Sequence, residues 1–241
     1  MGKIVLNADL GEGETSSHSA EFIQCVGAAN IACGGHAGDD ESIRHCLEAC
    51  IASDTLPGAH PGIAANFGRN DELPSPDEFS KLLESQWSTI SQIADSLGIS
   101  LHHIKLHGSL YMAVERAQDL ADVYLNFLNQ LSPCPVIFSL TQGSFQQQCQ
   151  RAGLQVWGEL FADREYESDA TLRSRKHSDA LIHDTNLIEK RVLHWLEHGE
   201  ILSSDSTLIS LEAKTICLHS DTPSALITAR RLQQLLSCVR K

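Results

Sequence analysis

The side chains of this chain that could do chemistry stand at the ends of short apolar runs. The first run closes on Asn7, Asp9 and Glu12. The second contains Asn30 and continues through Cys33-Gly34-Gly35-His36-Ala37-Gly38-Asp39. Later runs end in Gly58-Ala59-His60-Pro61-Gly62, Lys105-Leu106-His107-Gly108-Ser109, Glu159-Leu160-Phe161-Ala162-Asp163-Arg164 and His219-Ser220-Asp221. Carboxylates and imidazoles can serve as general bases toward water. Lys105 or Arg164 can stabilise an oxyanion or a phosphoryl group. That combination suits hydrolysis of an amide-like bond. Asp9, His36, His60, Lys105, His107 and Glu159 are the catalytic candidates. Asn30, Asp39, Arg164, His219 and Asp221 are candidates for holding substrate. Asp9, His60 and His107 could instead hold a divalent metal that activates water, and spacing does not decide between the two.

Each residue has a plainer reading. Asp39, followed by Asp40 and Glu41, has the setting of a helix N-cap, and Asp221 before Pro223 has another. His60 before Pro61 could belong to a turn. Lys105 in an apolar run could reach the surface along its stem, although burial against a carboxylate or a substrate oxygen fits better. What favours chemistry is their common placement. There is no H-E-x-x-H, no G-x-S-x-G elbow, no G-x-x-x-x-G-K-[ST] loop and no G-x-G-x-x-G fingerprint. If ATP is used, no standard motif marks its site.

The common placement follows from the elements. Strand-like runs over 4–6, 28–33, 56–59, 103–106, 136–140, 156–161 and 215–218 alternate with amphipathic stretches over 17–26, 41–52, 76–97, 117–131, 145–152, 186–198 and 223–239. In the third stretch Phe79, Leu83, Ile90, Ile93 and Leu97 recur at helical spacing. Ser75-Pro76-Asp77-Glu78 starts that helix and Gly98 stops it. Alternating strands and helices predict a parallel sheet of about seven units, as an open doubly wound sheet or a closed barrel. All strand carboxyl ends then share one rim, where such folds place their sites. Residues 61–74 and 163–185 form longer irregular stretches, of the length that serves as lids or binding loops.

Of the 241 residues, 42% are hydrophobic and 20% charged, enough for one substantial core and a single domain over 1–241. The net charge of −13 argues against nucleic acid or an anionic membrane as partner. No stretch is long and apolar enough to span a bilayer, and the opening residues lack a cleavable export signal. The 8 cysteines form no C-x-x-C pair and read as small buried hydrophobes in a reduced, cytoplasmic setting.

Taken in order, the runs Asn7–Gly13, Ala29–Asp39, Gly58–Gly62, Phe67-Gly68-Arg69, His103–Tyr111, Glu159–Arg164 and Thr215–Asp221 resemble the LamB/YcsF family from end to end. The resemblance implies a distorted (β/α) barrel of the glycoside hydrolase/deacetylase-like kind. It also implies a role as the A component of an ATP-dependent 5-oxoprolinase, beside subunits B and C. The reaction would open 5-oxo-L-proline to L-glutamate with release of ADP and phosphate, ATP being co-substrate and Mg its usual companion. Gly35 stands where the family usually has Phe, Leu106 where it has Pro, and Ser220 and Ala170 where it has Gly. The alternatives are a metal-dependent deacetylase or carbohydrate hydrolase acting alone, and a non-catalytic substrate-binding subunit.

Overall fold

The computed structural model describes residues 3–64, 68 and 72–238. The strands are β1 (Val5–Leu10), β2 (Ala28–Ala32), β3 (Leu56–His60), β4 (His103–Ile104), β5 (Val136–Leu140), β6 (Val156–Phe161), β7 (Glu200–Leu202), β8 (Leu208–Ser210) and β9 (Thr215–Cys217). The helices are α1 (Ser16–Ile23), α2 (Asp40–Ser53), α3 (Pro76–Ser96), α4 (Gly108–Arg116), α5 (Gln118–Gln130), α6 (Ser144–Arg151), α7 (Thr185–His198) and α8 (Ala225–Cys238). Seven parallel strands close in the order β1-β2-β3-β4-β5-β6-β9. Of the two architectures the alternation allowed, this is the barrel.

Strand alternation sorts the side chains of β1. Leu6, Ala8 and Leu10 belong to the main apolar core with Phe22, Leu47 and Leu232 of the surrounding helices. Val5, Asn7 and Asp9 take the opposite face. Val5 joins Ala28, Val136 and Phe138 in a separate apolar cluster. His103 stacks on Phe138, ring centroids 4.1 Å apart. Beyond this plug the barrel holds a polar column. The Asn7 amide donates to Glu159 Oε1 at 2.8 Å and to Thr215 Oγ1 at 2.7 Å. The Asn30 amide donates to Asn7 Oδ1 and Asp9 Oδ1, both at 2.7 Å. Polar groups so buried are stabilised by such partners, and the column ends at the carboxyl rim.

Two elements differ from expectation. The sequence places one helix after β4, but there are two. Ala117 is extended (φ −114°, ψ 107°) and separates α4 from α5. Gly108 and Ser109 hide the start of α4, whose buried Leu110, Tyr111 and Val114 still follow helical spacing. The β7–β8 hairpin is too short and too exposed for alternation to reveal. It forms after α7, where Trp195 Nε1 donates to Leu211 O at 2.7 Å. No helix among the described residues is long and apolar enough to cross a membrane.

Candidate active site

The floor of the site is a buried ammonium among acids. Lys105, 2% exposed, places Nζ 2.9 Å from Asp9 Oδ1, 3.2 Å from Glu159 Oε1 and 3.1 Å from Cys217 Sγ. Burial pushes the Lys105 ammonium down, but Asp9, Cys217 and Glu159 outweigh it and hold the group well above its ordinary value. Burial likewise pushes the Asp9 carboxyl up, yet His60 and Lys105 hold it well below the usual range. The pair is therefore ionised at neutral pH. Asp9 and Cys217 come from the carboxyl ends of β1 and β9, Lys105 from just beyond β4, and Glu159 from the middle of β6, one layer deeper.

Beside the floor, three imidazoles surround the Glu12 carboxylate. Glu12 Oε1 lies 2.8 Å from His36 Nε2, 3.0 Å from His107 Nδ1 and 3.6 Å from His60 Nε2. His36 and His107 stack with ring centroids 3.7 Å apart, and His60 meets both edge-on. His60 Nδ1 is 2.8 Å from the Lys105 carbonyl. A carbonyl only accepts, so Nδ1 carries a proton and Nε2 is the nitrogen that faces the site. Burial pushes Glu12 up, but hydrogen bonds from His107 and His36 overcome it and hold the carboxyl far down. Burial pushes His36 down to about 4. Gly11, at φ 76°, makes the turn that delivers Glu12. Glu14 pins that turn by accepting from the Gly11 and Glu12 amides at 2.6 and 2.8 Å.

Above lies a cavity of about 360 Å³ lined by Asp9, His60, Lys105, His107, Arg164 and His219. Its outer wall is basic, with Arg116 from α4 and Arg173, Arg175 and Lys176 from the irregular stretch after β6. Arg164 braces that stretch, donating to Ala180 O at 3.3 Å and Arg173 O at 2.6 Å. Burial brings its guanidinium down to about 10. His219 Nδ1 lies 3.0 Å from both Asp163 oxygens, which orients the ring. Burial pushes Asp163 up and His219 more than offsets it, so the carboxyl sits below its ordinary value.

The structure thus brings Asp9, His60, Lys105, His107, Arg164 and His219 to one cavity, with His36 alongside. Glu159 and Asn30 lie behind it in the polar column, where they fix Lys105 and Asp9. Asp39 stands apart. It is exposed and caps α2, accepting from Ser42 N at 2.8 Å, which is the plainer of its two readings. Asp221 is exposed and lines a smaller cavity with Glu12 and His36. Phe67 and Arg69 lie outside the described residues.

Glu12, Asn7, Asp163 and Cys217 belong to the site without having been candidates for it. Of the metal candidates, His60 and His107 group with Glu12 and His36, and Asp9 groups with Cys217 and His219 while Lys105 stands against its Oδ1. Gly35 is explained by a neighbour. The buried Gln86 of α3 accepts from Gly62 N at 3.0 Å and donates to Gly62 O at 2.8 Å. A Cβ at Gly35 would collide with both the Gln86 amide and the Gly62 carbonyl. Ser220 Oγ donates to Asp9 O at 2.8 Å.

A closed barrel of seven parallel strands with one polar site at its carboxyl rim defines an α/β-barrel protein of the kind that works at that rim. Within that class the chain belongs to the LamB/YcsF family, whose sequence pattern matches residues 4–239. It is 34% identical over 241 residues to the 5-oxoprolinase A component of Bacillus licheniformis, covering 98% of this chain and 95% of that one. It is also 34% identical to the corresponding 5-oxoprolinase A component of Oceanobacillus iheyensis, covering 97% and 93%. Among solved structures it resembles the lactam utilization protein from Thermus thermophilus. The TM-score is 0.90 at 29% identity, over 99% of this chain and 97% of that one.

Proposed function

We propose that this chain is the ring-opening component of an ATP-dependent 5-oxoprolinase, assembled with subunits B and C, that converts 5-oxo-L-proline to L-glutamate. The buried Asp9–Lys105 pair at the floor of a basic cavity carries the reading. It agrees with the names of the relatives. A chain of net charge −13 that lines a cavity with arginines and lysines is suited to an anionic ligand there. Both the carboxylate of 5-oxoproline and a transferred phosphoryl group meet that description.

A lactam is a resonance-stabilised amide. Phosphorylation of its carbonyl oxygen by ATP makes the carbon open to attack. Water adds there, the ring C–N bond breaks, and the nitrogen leaves protonated as the amine of glutamate. A second water releases phosphate from the resulting acyl phosphate. Asp9 is the base that takes the proton of the attacking water. An activated carbon tolerates a base this weak, provided it is ionised and positioned. Lys105 and His107, with His36 behind, stabilise the negative oxygen or the phosphate. Arg164 has donors to spare beyond the two that brace the loop, and pairs with the substrate carboxylate.

The test is glutamate formation from 5-oxo-L-proline and ATP by this chain with subunits B and C, omitting each in turn. Product only from the full mixture supports the reading. Product without ATP would instead favour a hydrolase acting alone, the second reading, which the histidine cluster around Glu12 supports.

A further inference from the structure

The cluster around Glu12 does more than frame the cavity. We infer that Glu12, His36, His60 and His107 form a binding site for one divalent transition metal of the zinc class, distinct from the magnesium that accompanies ATP. Their four ligand atoms all lie within 4.8 Å of one another. With metal–ligand bonds of about 2.0–2.1 Å, the edge of a tetrahedral site is roughly 3.3 Å. The separations from Glu12 Oε1 to the three imidazole nitrogens, 2.8, 3.0 and 3.6 Å, bracket that value. His107 Nδ1 and His60 Nε2 are 2.9 Å apart. Small outward movements of the rings would seat the ion.

The second layer supports it. The Lys105 carbonyl holds the proton on His60 Nδ1, and metal-ligating histidines are characteristically fixed in this way through the nitrogen that faces away from the metal. His60 Nε2 then faces a cluster whose other members include the Glu12 and Asp9 carboxylates, at 3.6 and 3.4 Å. The donor types select it. Three imidazoles and one carboxylate suit zinc, cobalt or nickel, whereas magnesium prefers oxygen ligands and retained water. The neighbouring group of Asp9, Cys217 and His219 does not compete, because the Lys105 ammonium already stands 2.9 Å from Asp9 and 3.1 Å from Cys217. An ion bound to the Glu12 cluster would supply Lewis-acid polarisation of an oxygen entering the cavity.

The inference does not depend on the substrate, so it is tested without one. The full chain is stripped with a chelator and titrated calorimetrically with zinc chloride, with magnesium chloride in parallel. His194 and His198, packed together at the surface of α7, form a second histidine pair and are removed by H194N/H198N in the background. One zinc per chain is expected, weakened at least about 10-fold by Glu12→Gln and by His36→Asn. Cobalt in its place should give the intense visible bands of tetrahedral coordination, lost in both variants. Circular dichroism and the thermal midpoint check that each variant folds, so that a loss in one that fails this check is read from the other. No zinc bound in the H194N/H198N background, or zinc unaffected by E12Q and H36N, overturns the inference. Equal preference for magnesium overturns it too. Any of these leaves the 5-oxoprolinase reading untouched, and a zinc-binding chain whose full complex opens no lactam would refute that reading alone.

Discussion

At the scale of single residues, burial and charge decide what each group can do. Lys105 keeps its proton in the interior only because Asp9, Glu159 and Cys217 surround it. Removing one partner of such a pair leaves an uncompensated buried charge, and such losses run to about 3–5 kcal/mol. Lys105→Met should therefore lower the urea midpoint markedly; a midpoint equal to wild type would show that the pair is not held as described. Asp163 has a milder part. Its folded carboxyl lies below the ordinary value of 3.8. The stabilisation from its contact with His219 is therefore fully present above pH 3.8 and lost as pH falls below it toward the folded value. Asp163→Asn should separate from wild type in denaturant midpoint at neutral pH, and the gap should narrow in acid below that value. Ala170 sits at φ 66°, a region that costs a non-glycine residue about 1–2 kcal/mol. Ala170→Gly should raise the thermal midpoint slightly, since the chain entropy added to the unfolded state offsets part of the relief. A lowered midpoint would count against that strain.

Elements explain why some chemistry-bearing residues are in the site and others are not. Asp39 follows a run of suggestive residues, but the start of α2 uses its carboxylate. The Ser42 hydroxyl in turn accepts from the Asp39 amide at 2.8 Å. Asp39→Ala should cost about 1 kcal/mol in stability, as lost N-caps do, and leave turnover of the assembled enzyme within a few-fold of wild type. A large loss of turnover with stability intact would return Asp39 to substrate binding. The alternation of strands and helices was legible from apolar spacing, and so was the convergence of Asp9, His60, Lys105 and His107, since parallel strands share one rim. The role of Glu12 was not legible. Its place depends on the Gly11 turn and on Glu14 holding that turn from outside, contacts that no periodicity encodes. The split of α4 from α5 at Ala117 escaped for a similar reason, because alanine carries no turn signal. The closing of the barrel was open in the sequence too. It rests on β9 pairing with both β6 and β1, and pairing partners are not written in a strand's own residues.

The whole molecule combines an acidic net charge with a basic cavity wall, a plugged barrel and a polar column that ends in one site. The described cysteines are all free, six of them buried, with Cys134 half-buried and Cys238 exposed. Burial pushes Cys33, Cys46, Cys50 and Cys149 up to about 12. The thiolate is the reactive form, so iodoacetamide under native conditions should label Cys238 first and spare these four until the chain unfolds. The organisation also makes the floor of the cavity the point on which the functional reading turns. Asp9 is bonded to Asn30 and Lys105 within the fold and still lines the cavity. The most direct measurement is the rate of glutamate formation by the complete complex carrying Asp9→Asn, with assembly verified by size. The expected result is an intact complex whose turnover falls at least about 100-fold, the lower range for a lost general base. An intact complex that turns over near the wild-type rate would contradict the account, because the base would then lie elsewhere.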